Sequence, residues 1–530
     1  MVRCRIRLSI SSKFNKFKKL NKLNKETEWA TAAADKIVSL HPDLDLYTTA
    51  AGISPSGVVH FGNFRDVATS HMVREALKQK GKNSRLIFSW DNFDRFRKVP
   101  PGVPESFVEH IGKPLSKIPN PSGGSASYAE HFQKPFIEAM KRLGIAIEYR
   151  DQTALYESGV YDEAIIEALK KREKIADVLL SFMSDKAKGE KGIDPLEYRK
   201  NYYPISIYSR FTGKDATKVI SYDGDSKITY LCAQTGKEDT IDIKKDHIVK
   251  LSWKIDWPMR WRHEKVVFEP GGHDHASPGS SYDIGTVLSP DIFGYNAPLF
   301  IEYKFVGIQG VGSKMSGSKG NAVSPLELLD IYEPGLLKWL YFRKSPDQSF
   351  ELAFNTDIYR QYDEYDLEHE GDNAIPFRQA VGFGQVVQWQ EDKLKTIFEA
   401  LGHDYSVESI ARRLPLAKSW LVKYNPEEVI TLNTDINSTY ASTLSDKRKE
   451  QVKRLHDELE KNKEANIQEL DVIVYDIPKS SDLSEEELKK EQRAFFKDVY
   501  NLLINKDTGP RLGTFLWAVD RGQVLKLLDF

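Results

Sequence analysis

Between Leu46 and Trp90 the chain reads strand, glycine-rich loop, helix, strand, and this order constrains the fold more than any other feature. Leu46-Tyr47-Thr48-Thr49-Ala50 has the apolar and β-branched character of a buried strand. It runs into the loop Gly52-Ile53-Ser54-Pro55-Ser56-Gly57, after which Phe64, Ala68, Met72 and Ala76 recur at helical spacing. Gly81 ends that helix, and Arg85-Leu86-Ile87-Phe88-Ser89-Trp90 supplies the next strand. Two strands joined through a helix in so short a span form a right-handed βαβ unit, which predicts a parallel sheet. Ligands of open parallel sheets bind beyond the carboxyl ends of the strands. The loop after Ala50 is therefore the first place to look for chemistry.

The remaining sequence is too long for one core, since 530 residues exceed what a single domain usually packs. Pro100 to Ser127 is rich in Pro, Gly and Ser and predicts an irregular insertion. Helical patterns return between Tyr128 and Met183. Lys218 to Ile243 alternates polar and apolar residues around Asp223-Gly224-Asp225 and Thr235-Gly236-Lys237, as a small antiparallel array does. Trp253 to Phe305 predicts a return to a sheet-like pattern. Past Pro346 the pattern is helical: Val452, Leu455 and Leu459 share one face, and Ser484 with Glu487 predicts a capping box.

Composition excludes several classes. Net charge is −1, so any nucleic-acid surface must be locally basic. Cys4 and Cys232 are the only cysteines, too few for a disulfide framework or a thiolate metal site, and they suit a reducing cytosol. No apolar run approaches the ~20 residues of a membrane span, and a cytoplasmic location is expected. Residues 1–25 carry nine Lys or Arg and no acid. Residues 1–28 are expected to be a disordered basic extension.

Two short motifs carry nucleotide chemistry. Pro55-Ser56-Gly57-Val58-Val59-His60-Phe61-Gly62-Asn63 lies where strand hands over to helix. There Gly57 and Gly62 allow close backbone approach, and the helix N-terminus favours phosphate. His60 and Asn63 can donate hydrogen bonds to a phosphate oxygen as charge grows there. Alone, this pattern also fits a glycine-rich turn with a packed histidine. About 250 residues downstream, Lys314-Met315-Ser316-Gly317-Ser318-Lys319 sits in a loop flanked by glycines at 307, 310, 312 and 320. Such a segment suits closure over substrate, with Lys314 as a point charge and Ser316 and Ser318 as donors. Alone, it also fits a solvated lysine loop.

Together the two motifs resemble the paired signatures of class I aminoacyl-tRNA synthetases. Further stretches resemble the class I lysyl-tRNA synthetases: Trp90 to Pro100, Asp256 to Trp261, Gly279 to Asp283, Tyr303 to Gly307 and Thr508 to Gly513. The resemblance implies an α/β, Rossmann-type parallel-sheet catalytic domain with insertions, followed by an all-α, anticodon-binding helical domain. The expected boundaries are 29–305 for the catalytic domain, with an insertion at about 100–250 that includes a hairpin subdomain at 205–243. A connecting region follows at 306–350 and the helical domain at 351–530. The implied reaction is ATP-dependent activation of L-lysine to lysyl-adenylate, then transfer to the 3′-terminal adenosine of tRNA(Lys).

The resemblance also implies site roles. His60, Asn63, Lys314 and Ser318 would be catalytic. ATP would meet Pro55, Ser56, Gly57, His60, Gly62, Asn63, Gly272, Asp274, Lys314, Met315, Ser316 and Ser318, with Asp274 at the ribose. Lysine would meet Gly52, Ser54, Trp253, His275 and Tyr303, the faces of Trp253 and Tyr303 holding its aliphatic stem. Magnesium would accompany ATP, and a monomer is expected. Ser54 stands where the family often has Thr, a change of packing more than chemistry. Many relatives carry a zinc knuckle where this chain has Ile207-Tyr208-Ser209-Arg210 and a single Cys232, so no structural zinc and no protein-bound metal is expected. Three rivals remain in view. A glutamyl-type enzyme of the same class would need a guanidinium in its pocket to meet a side-chain carboxylate. A small-molecule nucleotidyltransferase would have no use for the helical C-terminal part. An RNA-binding paralogue without activity would not need His60, Asn63, Lys314 and Ser318.

Overall fold

The computed structural model describes residues 28–190, 192–309, 322–480 and 483–530. The basic stretch 1–27 and the second motif, Lys314 to Ser318, lie outside the described residues. By internal packing the chain divides into two units, 1–329 with 337–352, and 330–336 with 353–530.

The first unit is built on a four-stranded parallel sheet. Strand β1 (Tyr47–Ile53) leads through helix α1 (Phe61–Gln79) to β2 (Ser84–Trp90), in register from Tyr47 opposite Ser84 to Ile53 opposite Trp90. Helix α2 (Tyr128–Arg142) leads on to β3 (Glu148–Asp151), which extends the sheet beyond β2. The chain returns to the other side of β1 with β4 (Val266–Phe268), so the order is β3-β2-β1-β4. The order reverses at β1, and such a switch opens a crevice at the carboxyl ends of the strands. β1 is buried along its first five residues because helices cover the sheet. On α1, Phe64, Ala68 and Ala76 are buried and Met72 is partly so, as the helical spacing predicts.

The insertion between β3 and β4 is mixed. Three antiparallel strands, Thr217–Tyr222, Lys227–Cys232 and Glu238–Asp242, form the expected small array. Ile205–Ile207 pairs antiparallel with Val249–Leu251. Their apolar sides share a core with Tyr156, Ile165, Leu169, Ile255 and Ile284. The stretch 253–305 departs from the sheet-like expectation, because α3 (Trp253–Glu264) and α4 (Ser281–Phe293) occupy much of it. The physical reason is legible afterwards: Trp253, Trp257 and Trp261 are spaced by four, a helical repeat that aromatic density disguised. Only β4 and short pairings such as Gly271–Gly272 with Glu302–Tyr303 are extended there.

Farther along, β5 (Val306–Ile308) pairs parallel with β6 (Phe350–Leu352). Arg65, buried on α1, donates to the carbonyls of Tyr341 at 2.8 Å and Ser345 at 2.7 Å. Tyr341 Oη donates in turn to Phe61 O at 2.8 Å. The second unit is helical, including Ile358–His369, Phe377–Val386, Val407–Tyr424, Asp446–Lys461 and Glu485–Ile504. Val452, Leu455 and Leu459 are buried on one face, and Ser484 and Glu487 form the expected reciprocal cap. Arg413 lies buried in this unit with Glu333, 2.5 Å away, and Asp366. Among the described residues no helix is long and apolar enough to cross a membrane.

Candidate active site at the sheet switch point

The first motif is held from three sides. His60 is the N-cap of α1, which begins at Phe61, two residues earlier than Asn63. Its Nδ1 accepts the Gly62 N–H at 3.1 Å, while Asn63 Oδ1 accepts the His60 N–H at 3.0 Å. The lone pair at Nδ1 is thus used by the backbone, which leaves the proton on Nε2 and aims a neutral donor outward. Burial lowers the imidazole below its usual value, so the neutral form persists under mildly acidic conditions. A Cβ on Gly62 would lie 2.8 Å from the His60 ring, so glycine makes room for the imidazole. Tyr128 of α2 is fully buried and donates to Ser56 O at 2.9 Å, anchoring the loop from below. At the end of β1, Gly52 is required by contact with β2, since a Cβ there would approach Ser89 O to 2.9 Å. Its N–H donates to Asp66 of α1 at 3.2 Å.

Beside this loop, at the carboxyl ends of β1 and β4, lies a small cavity of about 90 Å³. It is several times the ~10–15 Å³ that one water occupies. Gly52, Asn63, Trp253, His275 and Tyr303 all line it, so the proposed lysine-contacting residues meet in one place except Ser54. Ser54 instead faces the two adjoining clefts. Trp253 stacks on Trp257 with ring centres 5.2 Å apart, forming an aromatic wall. The Nδ1 atom of His275 is buried without a hydrogen-bond partner, an orphan of the kind a ligand satisfies.

Asp66, Trp257, Trp261 and Glu269 also line this cavity, and the sequence reading gave none of them a role in the site. Glu269 follows β4 directly and accepts the indole N–H of Trp257 at 2.9 Å and of Trp261 at 2.7 Å, both on Oε2. Burial pushes its carboxyl up to about 7 despite those bonds. Asp66 is raised well above the carboxylate range, first by burial and then by the nearby Glu269 charge. It is hydrogen-bonded to Tyr303, whose phenol is raised by burial and by that carboxylate. Both acids sit deep in the protein yet keep part of their surface open to the cavity. The signals were present: a tryptophan every fourth residue, and one acid beside the apolar stripe of α1.

Arg260 also lines the cavity, but its guanidinium is committed. It pairs with Asp91 and with Asp256, each at 2.5 Å, and Asp256 is shared with Lys250 at 2.9 Å. With Arg260 committed, the ionisable groups left facing the cavity include the carboxyls of Asp66 and Glu269, which a bound cation would draw into their charged form.

A second cleft, of about 690 Å³, is lined by His60, Gly62, Asn63, Gly272, Asp274, Tyr303 and residues of β5 and β6. It brings together the proposed ribose and phosphate contacts. Ser56 and Gly57 line a third cleft, of about 410 Å³, together with His60 and Asn63. Pro55 is buried and lines none of the three. Of the described residues that flank the second motif, Val323 is anchored at the first and Gln309 at β6. The N–H of Phe61 donates to Val323 O at 2.9 Å, and the N–H of Gln309 donates to Leu352 O at 2.9 Å. Among the described residues no group of three or more His, Cys, Asp or Glu side chains converges on a metal-sized site. At the knuckle, Cys232 is buried and hydrogen-bonded with Ser209 and Thr235.

Comparison with known proteins follows the same line. Residues 27–379 match the family model described as tRNA synthetases class I (K). A lysine–tRNA ligase of Thermococcus kodakarensis is 36% identical over 94% of this chain and 99% of its own length. The lysine–tRNA ligase of Pyrococcus horikoshii is 35% identical over 94% of this chain and 99% of its own. That of Streptomyces coelicolor is 35% identical over 95% and 98%. A family model covering more than half of the chain, with relatives this similar end to end, settles descent: the chain belongs to the class I tRNA synthetases (K).

Proposed function

We propose that this protein activates L-lysine with ATP and transfers it to the 3′-terminal adenosine of tRNA(Lys). The observation that carries the reading is the pair of buried carboxylates, Asp66 and Glu269, in an aromatic-walled cavity beside the first motif. A lysine side chain presents a long apolar stem and one ammonium, the two features that Trp253, Tyr303 and the acid pair complement. The committed Arg260 argues against a glutamyl-type pocket.

In the first step a carboxylate oxygen of lysine attacks the α-phosphorus of ATP. The bond to the β-phosphate oxygen breaks, and pyrophosphate leaves with its electron pair. No enzyme nucleophile is required, so the residues act by position and charge. His60 Nε2–H and the amide of Asn63 donate to the phosphate oxygens, Asp274 meets the ribose, and Gly272 allows close approach. Lys314 and Ser318, with Met315 and Ser316, close over the leaving pyrophosphate. The anchoring of residues 309 and 323 beside β6 and α1 supports this role. In the second step the ribose 2′-hydroxyl of the terminal adenosine attacks the adenylate carbonyl, and AMP departs. Magnesium would arrive with the ATP and would screen the triphosphate charge, and no residue is given the role of holding it. The helical unit is the anticodon-reading part, since base-specific RNA recognition targets unstacked loop bases.

The test is pyrophosphate exchange across the twenty amino acids, with and without tRNA. The reading requires exchange with lysine and none above background with glutamate. Exchange driven by glutamate refutes it.

A further inference from the structure

The amino-acid cavity contains a group that competes with a lysine ammonium. Arg260 lines it together with Asp66 and Glu269. A buried guanidinium near two buried acids pairs with them unless other partners hold it. Its charge reaches Glu269, where it opposes the rise that burial imposes. Recognition of lysine by those acids therefore depends on where the Arg260 side chain is kept.

Two aspartates keep it. Asp256 lies one helical turn before Arg260 on α3; its Oδ1 accepts from Nε at 3.1 Å and its Oδ2 from Nη2 at 2.5 Å. Asp91 accepts from Nη1 at 2.5 Å. Asp91 follows β2 directly, and its own N–H donates to Ile53 O at 3.0 Å, which ties it to the end of β1. Asp256 is fixed in turn by Tyr156, whose hydroxyl donates to Oδ1 at 2.7 Å, and by Lys250 at 2.9 Å. Asp91, Lys250, Asp256 and Arg260 are all buried. Burial works against the charge on Arg260, and the carboxylates of Asp256 and Asp91 more than offset it, so the guanidinium is held well above its ordinary range. As a stabiliser such a cluster adds little, because apolar residues of like volume fill a buried site as well. What it fixes is the direction of one cation. Held there, the guanidinium lies 5.6 Å from the centre of the Trp253 ring.

We propose that Asp91 and Asp256 set the amino-acid specificity of this cavity by holding Arg260 away from Asp66 and Glu269, so that the site takes an ammonium side chain in place of a carboxylate one. The inference rests on the lysine reading and deepens it. Both aspartates act through Arg260 and are positioning residues. Asp94 serves as the contrast: it meets Lys250 at 3.0 Å and belongs to the same cluster, with no ion pair to Arg260 among the described residues.

The experiment is lysine-dependent pyrophosphate exchange by the full chain with tRNA present. Asp91→Asn releases one arm of the guanidinium. Occupation of the acids by Arg260 about nine-tenths of the time lowers apparent affinity about tenfold. The KM for lysine is therefore expected to rise about tenfold, with the KM for ATP within about twofold of wild type. Adding Arg260→Met to Asp91→Asn is expected to bring the lysine KM back to within about threefold of wild type, and Asp94→Asn alone to leave it within about twofold. A double variant no better than Asp91→Asn overturns the proposal. So does an equal loss in Asp94→Asn, or a KM for ATP that rises with the KM for lysine. Should Asp91→Asn fail to fold, Arg260→Lys and Arg260→Met decide. A compact ammonium cannot reproduce the guanidinium fork that holds both carboxylates, so the charged variant is expected to have the higher lysine KM; the reverse order overturns the proposal. Failure of the wild-type protein to activate lysine is a separate result: it refutes the function itself.

Discussion

Replacing Glu269 with glutamine is expected to move stability and lysine recognition in opposite directions. The carboxylate sits under protein with both tryptophan N–H bonds on one oxygen, which the glutamine carbonyl can keep. Its carboxyl is raised from the ordinary 4.5 to about 7. In the empty protein the folded state therefore holds a proton that the unfolded chain has released across that window. Folding stability from this group is full below 4.5 and falls as pH rises to 7, by at most about 3 kcal/mol. Contact with water in the cavity reduces that figure. Glu269→Gln removes the slope, so the variant is expected to match wild type near pH 4.5 and to exceed it by about 1–3 kcal/mol at pH 8. Lysine then meets an amide in place of a charge. Loss of one partner of a buried pair costs about 3 kcal/mol or more, so the KM for lysine is expected to rise about 10²-fold. The KM for ATP should hold. Thermal unfolding at two pH values and lysine-dependent pyrophosphate exchange read the two effects. A variant that keeps its lysine KM within about threefold, or is less stable than wild type at pH 8, rules out this role for Glu269.

Wild-type lysine affinity is expected to strengthen as pH rises through about 7, with proton release on binding below it. Calorimetry in buffers of different ionisation enthalpy reads that release. Gly62→Ala pushes a methyl against the His60 ring, and turnover is expected to fall about 10²-fold through loss of one positioned donor. Replacing His60 and Lys314 singly and together is expected to give non-additive losses in adenylate formation, with coupling of about 1 kcal/mol or more. Strict additivity would separate the two motifs. Arg413→Ala leaves Glu333 and Asp366 buried and unpaired, and about 3–5 kcal/mol of stability of the helical unit should be lost in denaturant unfolding.

The sheet core was legible because its signal is local. Strand, loop and helix succeed one another within β1 and α1, and period and turn chemistry announce them. The capping box at Ser484 was legible for the same reason. Strand β3 was missed, since Glu148–Asp151 is polar and half-exposed at the sheet edge and lacks a buried strand's pattern. Helix α3 was read as sheet because aromatic residues mask periodicity when they fill most positions. The site divides along the same line. Residues carried by short motifs, such as His60, Asn63, Gly272 and Asp274, could be named from the sequence. Asp66 and Glu269 belong to no motif, and their meaning comes from meeting across α1 and β4 at a sheet switch point. That meeting is a long-range event, which no single window of sequence contains.

The cavity between β1 and β4 is assigned to the side chain of lysine, with its ammonium on Asp66 and Glu269. A structure of the protein with a non-hydrolysable lysyl-adenylate analogue is the decisive measurement. The ammonium nitrogen is expected within hydrogen-bond distance of both carboxylates, the stem along Trp253 and Tyr303, and the ribose at Asp274. An analogue bound with its ammonium facing solvent, or with its side chain outside this cavity, contradicts it.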